Sequence, residues 1–344
     1  MEKPINKINQ SNKRPPRASG ILLPLLLAAM LPLAGCGGGE AEPPEDTRTY
    51  PYRAVATTGM VGDIVRNVAG DRAEVAVIMG PGVDPHLYTA SRDDVARMGR
   101  ADIIFYSGLL LEGKMTDALV RIAGRKPVMA VTEALDESYL LEPEEYAGLY
   151  DPHLWMDPTA WSRCVNAVAE RLAEFDPPNA DLYRRNAEDY RRQLEELYDY
   201  GRQALGTIPE GSRVMITSHD AFNYFGRAFG IEVHGIQGLS TQSEAGLARI
   251  NELVDMIVDR NIRAVFAETS VPQRSIESLV NGARARGHEV RIGGELFSDA
   301  MGTRSTYEGT YIGMIDHNIT TVTRALGGEA PERGMQGKLG GRDE

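Results

Sequence analysis

The 344-residue sequence predicts a two-lobed α/β protein, each lobe a mainly parallel sheet flanked by helices, with one long rigid helix joining the lobes. Two patterns carry this expectation. Short apolar runs of strand character alternate with stretches of helical spacing over residues 53–178, and the same alternation returns over 207–327, the order that produces parallel strands covered on both faces. Between these regions, Ala180 to Leu205 holds no proline and a single glycine, Gly201, while Leu182, Tyr183, Ala187, Tyr190, Leu194, Leu197, Tyr198 and Leu205 recur at helical spacing. That spacing predicts one helix of about 25 residues, roughly 38 Å long, which suits a spine between lobes better than a crossover.

The chain starts with a segment of a different kind. Lys3, Lys7, Lys13, Arg14 and Arg17 precede an apolar run from Ile21 to Leu33, and Leu33-Ala34-Gly35-Cys36 follows. This order reads as a secretory signal over residues 1–35, with an apolar run too short for a comfortable membrane span. Its end resembles a bacterial lipobox, which implies that Cys36 carries the lipid and becomes the first mature residue. Residues 36–52, rich in Gly, Glu and Pro, read as a flexible tether. Without residues 1–35 the chain has 32 basic against 48 acidic residues, a net charge of −16. Such a surface excludes nucleic acid as a natural partner. With Cys36 acylated, Cys164 stands alone, so no intrachain disulfide is available, and its place in an apolar helical stripe makes it a core residue.

In the first lobe, strands are expected at Ala54–Thr58, Ala73–Met79, Ile103–Ser107 and Val128–Thr132. Ser91 with Asp94 three residues on predicts a capping-box start to a helix, and Asp157 followed by Pro158 predicts another, buried through Trp161, Cys164, Val165, Val168, Leu172 and Phe175. Asp176-Pro177-Pro178-Asn179 ends that helix, and residues 179–206 form the connecting helix. In the second lobe, strands are expected at Val214–Thr217, Glu232–Ile236, Ala264–Ala267 and Val290–Ile292, with a closing helix from Tyr307 to Leu326. Residues 328–344, rich in glycine and charge, read as a disordered tail.

The chemistry is concentrated in a repeated motif. Val83-Asp84-Pro85-His86-Leu87-Tyr88 and Tyr150-Asp151-Pro152-His153-Leu154-Trp155 share Asp-Pro-His-Leu-aromatic, in a chain with only six histidines. One copy alone would read as a turn leading into a helix. Two copies point to a shared role: proline stiffens the lead-in, aspartate is placed to hold backbone or the second imidazole nitrogen, and leucine and the aromatic ring are expected to bury beside the histidine.

Open parallel sheets bind ligands beyond the carboxyl ends of their strands, so the interlobe cleft is the expected site. There His219, directly after the strand ending at Thr217, and Asp299, shortly after the last strand, would join His86 and His153. Three imidazoles and one carboxylate suit a divalent transition cation, Zn²⁺ most readily, with Mn²⁺ or Fe²⁺ accommodated if the carboxylate is bidentate. With all four positions filled by protein, binding rather than hydrolysis follows, and no enzyme is expected. Glu268 also ends a strand and competes with Asp299 for the fourth position, although a carboxylate near ligating imidazoles more commonly sits behind them. Glu295 competes more weakly. His234, His288 and His317 read as surface or core histidines.

The stretches Met79 to Tyr88, Asp151 to Trp155, Ser218 to Phe225 and Gly293 to Gly302 resemble the bacterial solute-binding proteins that deliver zinc, manganese or iron to ABC transporters. The resemblance implies one metal ion as cargo, held by His86, His153, His219 and Asp299, and so places Asp299 rather than Glu268 in the fourth position. It also implies an ABC permease and its ATPase subunits as partners, a monomer, and attachment through Cys36 to a membrane facing the periplasm or the cell exterior. Two departures bear on the metal. The manganese branch usually carries glutamate where this chain has His219, and the zinc branch usually carries a histidine-rich loop where residues 133–150 are acidic and free of histidine. An exported metal-dependent hydrolase is the alternative, as is an adhesin or organic-solute binder in which the histidines are incidental.

Overall fold

The computed structural model describes residues 48–340; the expected signal sequence, Cys36, most of the tether and residues 341–344 lie outside the described residues. The first lobe is a four-stranded parallel sheet in the order β2 (Ala73–Val77), β1 (Tyr52–Ala56), β3 (Ile103–Tyr106), β4 (Val128–Ala130). Alternate residues of β1 and β3 face opposite layers, as a strand's two-residue period requires. Val55 and Ile104 pack with Met98 and Leu119 of α2 (Arg92–Arg100) and α3 (Thr116–Ala123). Ala54, Ala56, Ile103 and Phe105 pack with α1 (Gly59–Ala69) and α4 (Pro158–Phe175).

Both helix starts follow their local chemistry. Ser91 Oγ accepts from the Asp94 amide (3.2 Å) while Asp94 Oδ2 accepts from the Ser91 amide (2.9 Å), the reciprocal cap expected of that pair. Asp157 Oδ1 accepts from the amides of Thr159 and Ala160 with Pro158 at the first helical position. On α4, Trp161, Cys164, Val165, Val168 and Leu172 are buried, whereas Phe175 is half-buried. Cys164 is a free, buried cysteine.

The spine is α5 (Ala180–Gly206), 27 residues long, buried through Tyr183, Ala187, Tyr190, Leu194, Leu197, Gly201, Ala204 and Leu205. It packs on α1 and α4 of the first lobe and on α6 (Asn223–Phe229) and α9 (Tyr311–Ala325) of the second. One continuous apolar core therefore runs through both lobes. Tyr190 Oη donates to the buried Asp63 Oδ2 (2.5 Å), which ties the spine to α1. Gly201 sits where the second lobe presses on the spine: a Cβ there would lie 2.6 Å from Phe229 Cε1 and 2.9 Å from Ile319 Cδ1. Overpacking of this kind costs about 1–3 kcal/mol, and alanine's better helix propensity returns about 1 kcal/mol. Gly201→Ala is accordingly expected to lower stability by about 1 kcal/mol, read from urea unfolding of the metal-free protein.

The second lobe's strands are parallel but hydrogen-bond as two pairs, β5 (Val214–Thr217) with β6 (Glu232–Gly235) and β7 (Ala264–Glu268) with β8 (Arg291–Leu296). Strand β5 lies alongside β7 without joining the two pairs into one ladder. Val214, Ile216 and Val265 pack under α7 (Leu247–Asp259) and α8 (Arg274–Ala285), while Met215, Ala264 and Phe266 face the shared core. β8 runs to Leu296, longer than its apolar pattern predicts, because Gly293 and Gly294 interrupt that pattern at a register shift opposite Val265 and Phe266. The closing helix begins later than its spacing suggests, at Tyr311, where Thr310 Oγ1 accepts from the Gly313 amide.

Two boundaries differ from expectation. The tether does not extend to residue 52: Arg48 donates to Phe175 O (2.5 Å), Tyr50 Oη donates to Asp176 Oδ1 (2.7 Å), and Tyr52 is buried in β1. Cation–π contact over Phe175 and buried aromatic area outweigh the polar composition of this stretch. Nor is the described part of the tail, residues 328–340, disordered. The Met335 amide donates to both carboxylate oxygens of the buried Asp316 (3.0 and 2.9 Å), and Leu339 buries against the core.

Candidate metal centre

The two Asp-Pro-His copies fold alike at the backbone and differ at the ring. In both, the aspartate accepts from the amide of the histidine two residues on, Asp84 Oδ1 from His86 (2.8 Å) and Asp151 Oδ1 from His153 (2.9 Å). This is an Asx turn across the proline. In the second copy Asp151 Oδ1 also lies 2.7 Å from His153 Nδ1, which leaves Nε2 free to face the cleft. In the first copy Asp84 is not ion-paired to the His86 ring; its other oxygen accepts from Thr241 of the second lobe. The flanking residues diverge too. Leu154 and Trp155 are fully buried, with the Trp155 ring edge-on to His153 at 5.3 Å, whereas Leu87 is 46% exposed and Tyr88 only half-buried, contrary to the expectation that both leucines would be covered.

His219 follows β5 immediately and is held by Glu268 at the end of β7. Glu268 Oε1 accepts from the His219 amide (2.8 Å), and Oε2 lies 2.5 Å from His219 Nδ1. Asp299 follows β8, beside Ser298, whose carbonyl accepts from Trp155 Nε1 across the cleft (2.9 Å). Trp155 O in turn accepts from Tyr311 Oη (2.7 Å), and Tyr224 Oη donates to Asp151 O (3.1 Å). The second lobe thus holds the loop that presents His153.

These placements bring His86, His153, His219 and Asp299 together, each buried, with one nitrogen or oxygen of each within 4.8 Å of the others. His86 Nε2 is 3.3 Å from His153 Nε2; Asp299 Oδ2 is 3.5 Å from His86 Nε2 and 3.3 Å from His219 Nε2; Asp299 Oδ1 is 3.5 Å from His153 Nε2. Both carboxylate oxygens and His219 Nε2 are buried without a hydrogen-bond partner. Buried polar atoms left unpaired cost of order 1–3 kcal/mol each, a cost a cation at their centre removes. Tetrahedral ligation at 2.0–2.1 Å needs donors about 3.3–3.4 Å apart, close to these four separations. The arrangement is a His₃Asp cluster suited to a divalent metal ion.

The local electrostatics separate the imidazoles. Burial pulls His86 down to about 4, with Asp299 offsetting part of the effect. Burial acts the same way on His219, but the carboxylates of Glu268 and Asp299 outweigh it and hold that imidazole well above its usual range. Burial alone would raise Asp299; the surrounding imidazoles, His219 foremost, hold it well below the ordinary carboxylate range.

Of the remaining candidates, Glu268 stands behind His219, outside the cluster. Glu295 accepts from Gln273 at the surface. His234 is 2.7 Å from Glu232, His288 faces the Ile262 carbonyl, and His317 the Glu295 carbonyl, so all three meet ordinary partners. Sequence reasoning missed Thr241, Gln242, Asn223 and Tyr224, which bind the histidine loops from the other lobe. Asn223 and Tyr224 sit in the quoted stretch after His219, whereas Thr241 and Gln242 lie in a plain polar run with no pattern to mark them.

Comparison with known proteins places this site in a family. A family model described as zinc-uptake complex component A, periplasmic (ZnuA), matches residues 54–325. The chain is 44% identical over 305 residues to the manganese-binding lipoprotein MntA of Bacillus subtilis, covering 89% of this chain and 98% of that one. It is 46% identical over 272 residues to the zinc-binding protein TroA of Treponema pallidum, covering 79% and 88%. The solved structure of that TroA superposes with a TM-score of 0.78 at 45% identity, over 80% of this chain and 99% of that one. Fe(III)-bound YtgA of Chlamydia trachomatis superposes with a TM-score of 0.74 at 26% identity, over 82% and 100%. The chain belongs to the TroA- and ZnuA-like family of periplasmic metal-binding solute-binding proteins of ABC transporters, which are carriers and not enzymes.

Proposed function

We propose that this chain is a lipid-anchored receptor that holds one zinc or manganese ion, with ferrous iron as a third candidate, between His86, His153, His219 and Asp299 and hands it to an ABC permease driven by its ATPase subunits. The observation that carries the reading is the convergence of four buried side chains, two from each lobe, with unpaired polar atoms facing one centre. Three imidazoles take zinc most tightly in the usual order of affinities. Both Asp299 oxygens face that centre, so bidentate ligation fits a larger ion as well. Relatives named for manganese and zinc support the first two of these cargoes. The lipobox-like end at Cys36, and a similar protein named as a lipoprotein, support the anchor. Glu268 acts behind the metal, orienting His219 and holding its Nδ1.

The test is elemental analysis of protein purified from its native envelope, with titration of the stripped protein. One transition-metal ion per chain is expected; none, or binding indifferent to chelators, overturns the reading. The pH dependence is a further expected outcome. In the metal-free protein the carboxylates of Glu268 and Asp299 hold His219 above its usual range, so metal entry competes with a proton on that ring. Apparent affinity should therefore fall as pH falls, by up to about tenfold per unit from this one proton. The fall should steepen near pH 4, where His86 also takes a proton, and Asp299 stays ionised throughout. Calorimetric titration between pH 4 and 8 measures it.

A further inference from the structure

The four donors are not equally held. The rings of His153 and His219 each have a carboxylate behind them, Asp151 and Glu268. Among the described residues no carboxylate sits behind the ring of His86 in this way. His86 also lines an interlobe opening of about 710 Å³, bordered by Leu110, Leu149, Tyr150, Leu239 and Gln242. What holds its loop comes instead from the second lobe. Thr241 Oγ1 donates to Asp84 Oδ2 (2.5 Å), and Gln242 Nε2 donates to the His86 carbonyl (3.3 Å). Asp84 passes this restraint on, because its other oxygen accepts from the His86 amide (2.8 Å).

We propose that Thr241, through Asp84, and Gln242, at the His86 carbonyl, form an interlobe latch which fixes His86 and so sets the rate at which metal leaves the cleft. The latch rests on the carrier reading above. Its two residues sit differently: Thr241 is buried against the first lobe, while Gln242 is exposed at the rim of the opening, on the irregular segment between β6 and α7. A group that withdraws this segment from outside frees the His86 loop without touching His153, His219 or Asp299. The three remaining donors keep their rings and carboxylate in place, and the ion departs on the His86 side. Thr241 and Gln242 are positioning residues, since neither is among the four donors.

The test uses the mature chain and the variants Thr241→Val, Thr241→Ser and Gln242→Ala. Valine keeps the shape of threonine and removes the hydroxyl, and Gln242 is exposed, so folding is not at stake. Loss of one hydrogen bond of about 1–1.5 kcal/mol corresponds to roughly tenfold in rate. In metal-free protein, amide exchange over residues 84–88 is expected to quicken in Thr241→Val and Gln242→Ala and to stay at the wild-type rate in Thr241→Ser. In zinc-loaded protein, release to excess EDTA by stopped flow is expected to quicken roughly tenfold in the same two variants, again with serine as wild type. Unchanged exchange overturns the latch. Faster exchange with unchanged release overturns its control of release, and a serine variant as fast as valine shows that shape, not the hydroxyl, is responsible. The exchange experiment needs no ion, so a wild-type chain that failed to hold metal would count against the carrier reading and leave the latch to be judged separately.

Discussion

Replacing His153 by alanine is expected to weaken zinc binding by more than the about 10–100-fold that follows loss of an outer partner of a metal ligand. The imidazole is fully buried and is held at two points by Asp151 Oδ1, once at the amide and once at Nδ1. Asp151 is itself held by Asn223 Nδ2 (3.1 Å) and, through its carbonyl, by Tyr224. The ring is therefore placed before any ion arrives, and its donation carries little orientational cost. Alanine removes one of three nitrogens, and at 0% exposure no bulk water reaches the vacated position freely. Competition against a chromophoric chelator measures the change. His234→Ala serves as the control, since that ring lies against Glu232 in β6 and should leave affinity unaltered. Equal affinities for the two variants would remove His153 from the donor set.

The spine and the histidine pair were legible in the sequence because both are written locally. A stripe at helical spacing specifies α5 without reference to any other part of the chain, and the one glycine in that stripe marks where Phe229 and Ile319 press in. The Asp-Pro-His turn closes within three residues, so its two copies announce the same geometry at the backbone. The rings are another matter. Whether an aspartate turns to its own histidine, as Asp151 does, or to the opposite lobe, as Asp84 does, depends on what the fold brings alongside: the side chain of Thr241 is 157 residues away.

The same distinction explains the tail and the tether. Composition reads residues 328–344 as solvated, yet Asp316, buried in α9, accepts from the Met335 amide as well as from Tyr307 and Thr320. Likewise Arg48 finds the Phe175 ring and carbonyl, which no local pattern reveals. The separation of the second lobe's strands into two hydrogen-bonded pairs is also a matter of spacing between β5 and β7, which alternation along the chain does not encode.

Glu268 offers the sharpest division between holding a ligand and being one. Glu268→Gln is expected to lower zinc affinity by about 10–100-fold, or roughly 1.4–2.7 kcal/mol. With glutamate, the carboxylate beside Nδ1 favours a proton on that nitrogen, which would leave Nε2, facing Asp299, to bind the metal. With glutamine, the amide oxygen still accepts from the His219 backbone, so the NH₂ group faces Nδ1. The ring proton then moves to Nε2, and the metal must displace it against that preference. A second consequence separates this account from direct ligation. Glu268 is the larger of the two charges that raise His219 against burial, so its removal lowers that pKa and flattens the neutral-range dependence of affinity on pH. A variant with weaker but flatter binding, and an unaltered visible spectrum of bound Co²⁺, is the expected result. Were Glu268 itself a donor, the spectrum would change and the loss would match that of His153→Ala.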